Sequence, residues 1–125
     1  MTSDEKARLA AEAADELKAN QIVVLDVRGQ TQIADFFVIC SGTSDIHIRA
    51  IADRIIERMM ENGVGKPRRE GVEAAAWVLL DYGDVVVHIF DVEQREYYNL
   101  ESFWSGARVL ELTEEARGTA EPAGV

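Results

Sequence analysis

The fold is decided by residues 75–90, which read Ala75-Ala-Trp-Val-Leu-Leu-Asp-Tyr-Gly-Asp-Val-Val-Val-His-Ile-Phe90. Two strand-like runs, 75–81 and 85–90, flank a short polar turn, and this pattern predicts a tight β-hairpin. Taking Tyr82 and Gly83 as the loop predicts three cross-strand pairs, which are Leu80 with Val85, Val78 with Val87, and Trp77 with His88.

Because side chains alternate along a strand, this hairpin has two faces of different character. The aliphatic face is expected to meet helices, and it carries Ala76, Val78, Leu80, Val85, Val87 and Ile89. The other face mixes aromatic, imidazole and carboxylate groups with apolar ones, and it carries Trp77, Leu79, Asp81, Asp84, Val86, His88 and Phe90. A solvated sheet face ordinarily carries small polar residues. The mixed face therefore indicates a second core face covered by the C-terminal segment, a partner surface or a catalytic site.

The rest of the chain predicts an α/β fold, a mixed sheet of about five strands with helices on one face. The sequence predicts a helix over residues 3–19, which begins with capping-box spacing of Thr2 and Glu5. The other predicted elements are strands at 22–27 and 36–40, a helix that begins at Ser44 or Asp45 and ends at Gly63, a loop or edge strand at 65–69, short helical turns at 93–104 and a last strand at 108–112. We expect one domain, residues 1–112, and a loose tail, residues 113–125.

Composition excludes several functional classes. The chain has 125 residues, 47% of them hydrophobic, and a formal net charge of −10. This hydrophobic content argues against disorder, and the acidity argues against direct binding of nucleic acid, because phosphates need clustered Lys and Arg. Cys40 is the single cysteine, so no intrachain disulfide forms, and it is expected to be buried and inert. The sequence has neither a secretion signal nor an apolar run of membrane-spanning length, which predicts a cytoplasmic protein.

Few residues suggest chemistry. Ser41, Gly42, Thr43 and Ser44 precede a helix and form a weak anion-binding candidate, although a strand-to-helix turn with a helix cap is the favoured explanation and needs no ligand. A magnesium-dependent nucleotidyltransferase or a nucleotide-binding module is the alternative function. It would need paired carboxylates on a strand, and the predicted strands contain no Asp-x-Asp or Asp-x-Glu. No metal or cofactor is expected. The basic 66–69 cluster is predicted to be a solvated loop, with an RNA contact as the alternative.

Three segments of the chain, taken in order, form a distinctive set. They are 77–90, already quoted, Ala34-Asp-Phe-Phe-Val-Ile-Cys-Ser-Gly-Thr-Ser44, and Arg95-Glu-Tyr-Tyr-Asn-Leu-Glu-Ser-Phe-Trp104. Together they resemble the Iojap-like ribosomal silencing factor family. The resemblance covers residues 4–112, nearly the whole predicted domain.

The resemblance implies a non-enzymatic protein. Family members bind the large ribosomal subunit through its ribosomal protein fourteen, block joining of the small subunit, and lower translation when nutrients are scarce. Related organellar members act in ribosome assembly. The family fold is related to nucleotidyltransferases without their catalytic carboxylates, and free members are often homodimers.

Strand geometry then predicts how the mixed face would dock on a basic ribosomal protein. Trp77 and Tyr98 would be apolar anchors, and Tyr82 at the turn would be a further anchor or would shape the turn. His88 would pack beside Trp77 and hydrogen-bond across the contact. Complementary charge would come from Asp81, Asp84, Glu93 and Glu96.

Overall fold

The structure is a computed structural model, and it describes residues 1–93 and the backbone of residues 108–110. The elements in chain order are α1 (Ser3–Glu16), β1 (Asn20–Asp26), β2 (Phe36–Gly42), α2 (Asp45–Glu61), β3 (Arg68–Glu70), β4 (Trp77–Asp81), β5 (Val85–Asp91) and β6 (Arg108–Leu110).

The strands form one mixed sheet in the order β3-β4-β5-β2-β1-β6. β2 and β5 pair in parallel at the centre, and the other neighbours are antiparallel. The predicted α/β class and the mixed sheet are therefore confirmed. Two three-residue edge strands, β3 and β6, bring the described strands to six. The predicted edge strand near residue 68 is thus present, as is a last strand that begins at residue 108.

Both helices pack on the same face of the sheet, as the sequence predicts. Their apolar sides join the aliphatic residues of β4 and β5 in one buried cluster. In α1 the buried positions are mostly alanines, whose small side chains let the helix approach its neighbours closely. The predicted stripe of α2 is buried in full, and it consists of Ile48, Ile51, Ala52, Ile55 and Met59. β2 is buried along its whole length, as expected for a central strand with two covered faces.

The helix ends follow the predicted capping residues. The Thr2 hydroxyl accepts from the Glu5 amide at 3.1 Å, and the Glu5 carboxylate accepts from the Thr2 amide at 2.9 Å. Ser44 is the cap of α2. The predicted end of α1 at residue 19 is wrong, because the helix ends at Glu16 and Lys18 adopts a left-handed φ of 61°. Gly63 takes a φ of 84° after α2, as expected for a helix-terminating glycine.

The predicted register of the β4–β5 hairpin is wrong by two residues. The amide of Tyr82 donates to the carbonyl of Val85 at 2.9 Å, so the two loop residues are Gly83 and Asp84. Gly83, with a φ of 92°, supplies the positive φ that a tight hairpin loop requires at its first position. The observed pairs are Trp77 with Phe90, Val78 with Ile89, Leu79 with His88, Leu80 with Val87, and Asp81 with Val86.

A shift of two residues keeps every strand side chain on its predicted face, whereas a shift of one would exchange the faces. β4 also begins later than predicted, at Trp77, because Ala75 has a φ of 55° and does not continue a strand.

The helical turns predicted after residue 93, the end of the last strand at 111–112 and the tail at 113–125 lie outside the described residues. Within residues 1–93, neither helix has the length and hydropathy that crossing a membrane would require.

Candidate functional site

The sheet face opposite the helices, which we call the second face, carries its own apolar cluster. Alternate residues of the four central strands supply it, and the loop before β2 adds to it. Its buried members are Leu25, Val27, Ala34, Phe37, Ile39, Val86 and Phe90. Val23, Trp77 and Leu79 pack against this cluster while retaining partial exposure. The second face therefore combines a buried base with three part-exposed apolar side chains.

An aromatic group lies at the centre of the second face. The ring of Trp77 stacks on Phe90, with centroids 5.0 Å apart and planes inclined by 29°. The ring of Phe37 meets His88 edge-on at 5.0 Å and 68°. The indole Nε1 of Trp77 donates to the imidazole Nδ1 of His88 at 3.1 Å. The predicted packing of His88 beside Trp77 is therefore observed, with the two residues diagonal across the strands.

His88 is the chemically unusual member of this group. Its side chain is 5% exposed, and burial lowers the pKa of the imidazole to about 4. Nδ1 accepts the indole proton, so the neutral ring carries its own proton on Nε2. That Nε2 finds no hydrogen-bond partner among the described residues. The sequence-based prediction was that His88 would hydrogen-bond across the contact, and an imidazole with so little exposed surface is poorly placed to do so.

The two carboxylates predicted on the mixed face have different locations. Asp81 lies on the second face, where it accepts from Arg68 of β3 at 3.0 Å and from the amide of Gly83 at 2.8 Å. The expected location of Asp84 on the second face is wrong. Its two carboxylate oxygens each accept from Lys6 of α1 at 3.1 Å, because Asp84 is a loop residue that turns toward the helices.

Tyr82 also points away from the second face. It packs against the cluster beneath the helices, and burial raises the pKa of its phenol to about 12. Its hydroxyl has no hydrogen-bond partner among the described residues. Glu93 is exposed beyond the end of β5. Glu96 and Tyr98 lie outside the described residues. Of the six predicted docking residues that the structure describes, the second face holds three, namely Trp77, Asp81 and His88.

The predicted anion-binding loop has its amides occupied by its own side chains. The Thr43 amide donates to His47 Nδ1 at 3.0 Å, the Ile46 amide to the Asp45 carboxylate at 3.0 Å, and the His47 amide to the Ser44 hydroxyl at 3.1 Å. Ser41 and Gly42 are buried in β2. These side-chain bonds cap the start of α2, and an anion would have to displace them to reach the three amides.

An acidic pair that the sequence analysis missed follows β5. The strand continues one residue past its predicted end, to Asp91, which pairs with Gly42 of β2. Asp91-Val92-Glu93 is an Asp-x-Glu sequence, but only Asp91 lies in the strand, so the described strands contain no complete pair, as the sequence predicts. The Asp91 carboxylate accepts from the Glu93 amide at 2.9 Å. In residues 1–93 no three His, Cys, Asp or Glu side chains converge in a way that would hold a metal ion.

The two remaining features predicted from the sequence are Cys40 and the basic cluster of residues 66–69. Cys40 is fully buried in β2. In the basic cluster, Arg68 lies on edge strand β3 and pairs with Asp81 and Glu70. Arg68 therefore belongs to the rim of the second face and not to a separate loop. The sequence contains a signal for this location of Arg68. Arg68 and Glu70 are two residues apart in a short segment before the hairpin, which is the spacing of side chains on one face of a strand.

Comparison with known proteins gives consistent matches along the chain. A family model described as "Ribosomal silencing factor during starvation" matches residues 1–124. The ribosomal silencing factor RsfS of Halalkalibacterium halodurans is 46% identical over 112 residues, which cover 90% of this chain and 96% of that protein. The chloroplastic protein Iojap of Zea mays is 41% identical over 102 residues, which cover 82% of this chain and 44% of that protein. A crystal structure of a protein from Chromobacterium violaceum superposes with a TM-score of 0.81 and 33% identity, covering 90% of this chain and 93% of that one.

Proposed function

Because the chain belongs to the ribosomal silencing factor family, we propose that it represses translation by occupying the large ribosomal subunit. It binds the large-subunit ribosomal protein fourteen, and the bound protein sterically prevents joining of the small subunit when nutrients are scarce. The role is one of binding and not of catalysis. It operates in the cytoplasm, without contact to nucleic acid of a particular sequence.

The part-exposed apolar side chains of the second face carry this proposal. Trp77 and Leu79 remain accessible on a rigid base of buried side chains, among them Phe90 and Val86. Tryptophan is among the residue types that contribute most to binding at protein interfaces, especially where a ring is already held in place. A preformed tryptophan anchor loses little conformational entropy on docking. The second face is therefore suited to a protein partner.

Charge supports a basic partner. The net charge is −10, and Asp81 lies on the rim of the second face, where its part-exposed side chain pairs with Arg68. Complementary charge at the rim speeds encounter and fixes orientation more than it adds affinity. The exposed Glu93 beyond β5, with Glu96, would add acidic groups to this rim, and Tyr98 would add a second anchor. Asp84 and Tyr82 would act indirectly, by holding the hairpin turn against the helices.

Co-sedimentation with purified large subunits tests the proposal. Wild-type protein is expected to pellet with large subunits and to reduce the yield of joined ribosomes in proportion to its occupancy. Trp77→Ala should weaken both effects by at least about tenfold, since it removes a central anchor. Ile46→Ala is the matched control, because Ile46 is 76% exposed on α2 and lies on the helix side of the sheet.

Each outcome has a clear meaning. Normal subunit joining at saturating occupancy would refute silencing, and equal losses for the two variants would refute the second face as the docking surface. Denaturant unfolding of both variants separates lost affinity from lost fold. We also propose a homodimer in the absence of ribosomes, and light scattering that gives the monomer mass at micromolar concentration would contradict it.

A further inference from the structure

Two contacts with described residues fix the indole of Trp77 on the second face. Its ring stacks on Phe90 at a centroid distance of 5.0 Å, and its Nε1 donates to His88 Nδ1 at 3.1 Å. Stacking alone permits a ring to slide or to turn over, whereas a hydrogen bond at one end sets its direction. The two contacts together select one orientation of the indole.

His88 is itself held in place. Phe37 of β2 meets its ring edge-on, and Phe90 lies parallel to it at 6.3 Å with planes inclined by 9°. The imidazole is almost fully buried, so a docking partner has no surface of it to contact. Trp77 is part-exposed and has such a surface. Any effect of His88 on docking must therefore pass through a neighbour, and Trp77 is the neighbour to which it is hydrogen-bonded.

We propose that His88 is a positioning residue for docking, which rests on the proposed function: its Nδ1 accepts the indole proton and so holds Trp77 in the orientation that the basic ribosomal protein meets. Phenylalanine or leucine at this position would fill the space but would remove the acceptor that His88 provides for the indole N–H. A polar group buried without a partner favours another conformation, in which the N–H turns toward water. The ring would then leave its docking orientation.

Asparagine and glutamine distinguish the two imidazole nitrogens. Asparagine presents its amide oxygen close to the Nδ1 position, whereas the longer glutamine presents it close to the Nε2 position. His88→Asn should therefore keep the bond to Trp77, and His88→Gln and His88→Leu should lose it. Trp77→Phe keeps an aromatic ring without an N–H, so it removes the group on which His88 acts.

The experiment measures the dissociation constant for purified large subunits in a double-mutant cycle. In the wild-type background we expect His88→Leu and His88→Gln to weaken binding about tenfold, and His88→Asn to stay within about threefold. In the Trp77→Phe background the same His88 variants should change binding by less than about twofold, because their effect passes through the indole N–H. A merely structural role of His88 would give equal losses in both backgrounds.

Two results would overturn the inference. One is a loss for His88→Leu that is equally large with and without the indole N–H, and the other is better binding by His88→Gln than by His88→Asn. If His88→Leu does not fold, the Asn and Gln pair alone carries the test, because both retain an amide of similar polarity. Absence of binding by the wild type would defeat the proposed function as well, whereas wild-type binding with no effect of any His88 variant would defeat only the positioning role.

Discussion

A Cβ atom added to Gly71 would lie 2.1 Å from the carbonyl oxygen of Trp77. The backbone of the 71–76 segment therefore touches the backbone of β4 at its first residue. Arg49 of α2 holds the same segment from the other side, through bonds from its guanidinium to the carbonyl oxygens of Val72 at 3.1 Å and Glu73 at 2.5 Å. The start of β4, and with it the indole of Trp77, is thus positioned by a backbone contact that only glycine permits.

Gly71→Ala is expected to lower the free energy of unfolding by about 3 kcal/mol or more, because it combines a backbone clash with a φ of 80°. Denaturant unfolding followed by circular dichroism measures the change. Gly65→Ala is the matched control: Gly65 has open space around its Cα and should change stability by less than about 0.5 kcal/mol. Similar losses for both variants would show that the Trp77 contact is unimportant.

Acid should weaken the fold through His88. Its pKa in the folded protein is about 4, against 6.5 for an ordinary imidazole, so the unfolded chain takes up the proton first as the pH falls. The contribution of the neutral imidazole to the free energy of unfolding is fully present above pH 6.5. It is lost progressively between pH 6.5 and 4, by at most about 3 kcal/mol. Below pH 4 both states bind the proton and the loss stops growing.

The measurement is the free energy of unfolding across pH 4–7 for the wild type and for His88→Asn. Carboxylates titrate in part of this range in both proteins, so the difference between the two curves isolates the imidazole. We expect the wild-type curve to fall more steeply toward pH 4. Parallel curves would mean that His88 is not held neutral by burial.

Reversing the charge of Asp84 should disturb the fold, although the residue belongs to a part-exposed turn. Asp84→Lys would bring two ammonium groups together where Lys6 now contacts both carboxylate oxygens at 3.1 Å. The pair is part-exposed, so we expect a loss of only about 1–2 kcal/mol of unfolding free energy. The exchanged pair Lys6→Asp with Asp84→Lys should recover part of this loss. No recovery would show that the ion pair itself contributes nothing.

His47 should prove structural. Its Nε2 lies 2.8 Å from the carbonyl oxygen of Leu17, and its Nδ1 accepts the Thr43 amide, so one ring joins the end of α1 to the start of α2. His47→Phe removes both bonds and is expected to cost about 1–3 kcal/mol of unfolding free energy. Ile46→Ala, at the neighbouring exposed position, serves as the control and should be nearly neutral. Thermal or denaturant unfolding distinguishes the two, and equal stabilities would contradict this role.

Sequence patterns predicted the elements of the fold better than their connections. Alternation and helical spacing identify which side chains are buried, and they did so for α2, β2 and both hairpin faces. The hairpin register was missed because it depends on one turn. A loop at Tyr82–Gly83 and one at Gly83–Asp84 give identical faces, and the carboxylate of Asp81, bonded to the Gly83 amide, favours the second.

The sequence predicted only part of the candidate site, and the reason is related. Period-two alternation correctly grouped Trp77, His88 and Asp81, which all lie within regular strands. It failed for Asp84 and Tyr82, since turn residues do not follow the alternation, and it had no means of finding Lys6, 78 residues away in the sequence. Long-range partners of this kind require the three-dimensional structure.

The parallel β2–β5 pair has a consequence for how the chain folds. Every pair in its register, from Phe36 with Val85 to Gly42 with Asp91, is 49 residues apart along the chain. Closing a loop of that length costs about 3 kcal/mol of chain entropy beyond a constant, before any contact compensates for it. The β1–β2 and β4–β5 hairpins close over shorter stretches of chain, so we expect the central pair to be the step that unites the two halves of the sheet. Formation of the β2–β5 pair should therefore limit the rate of folding. This pair is the part of the sheet that is most deeply buried once folding is complete.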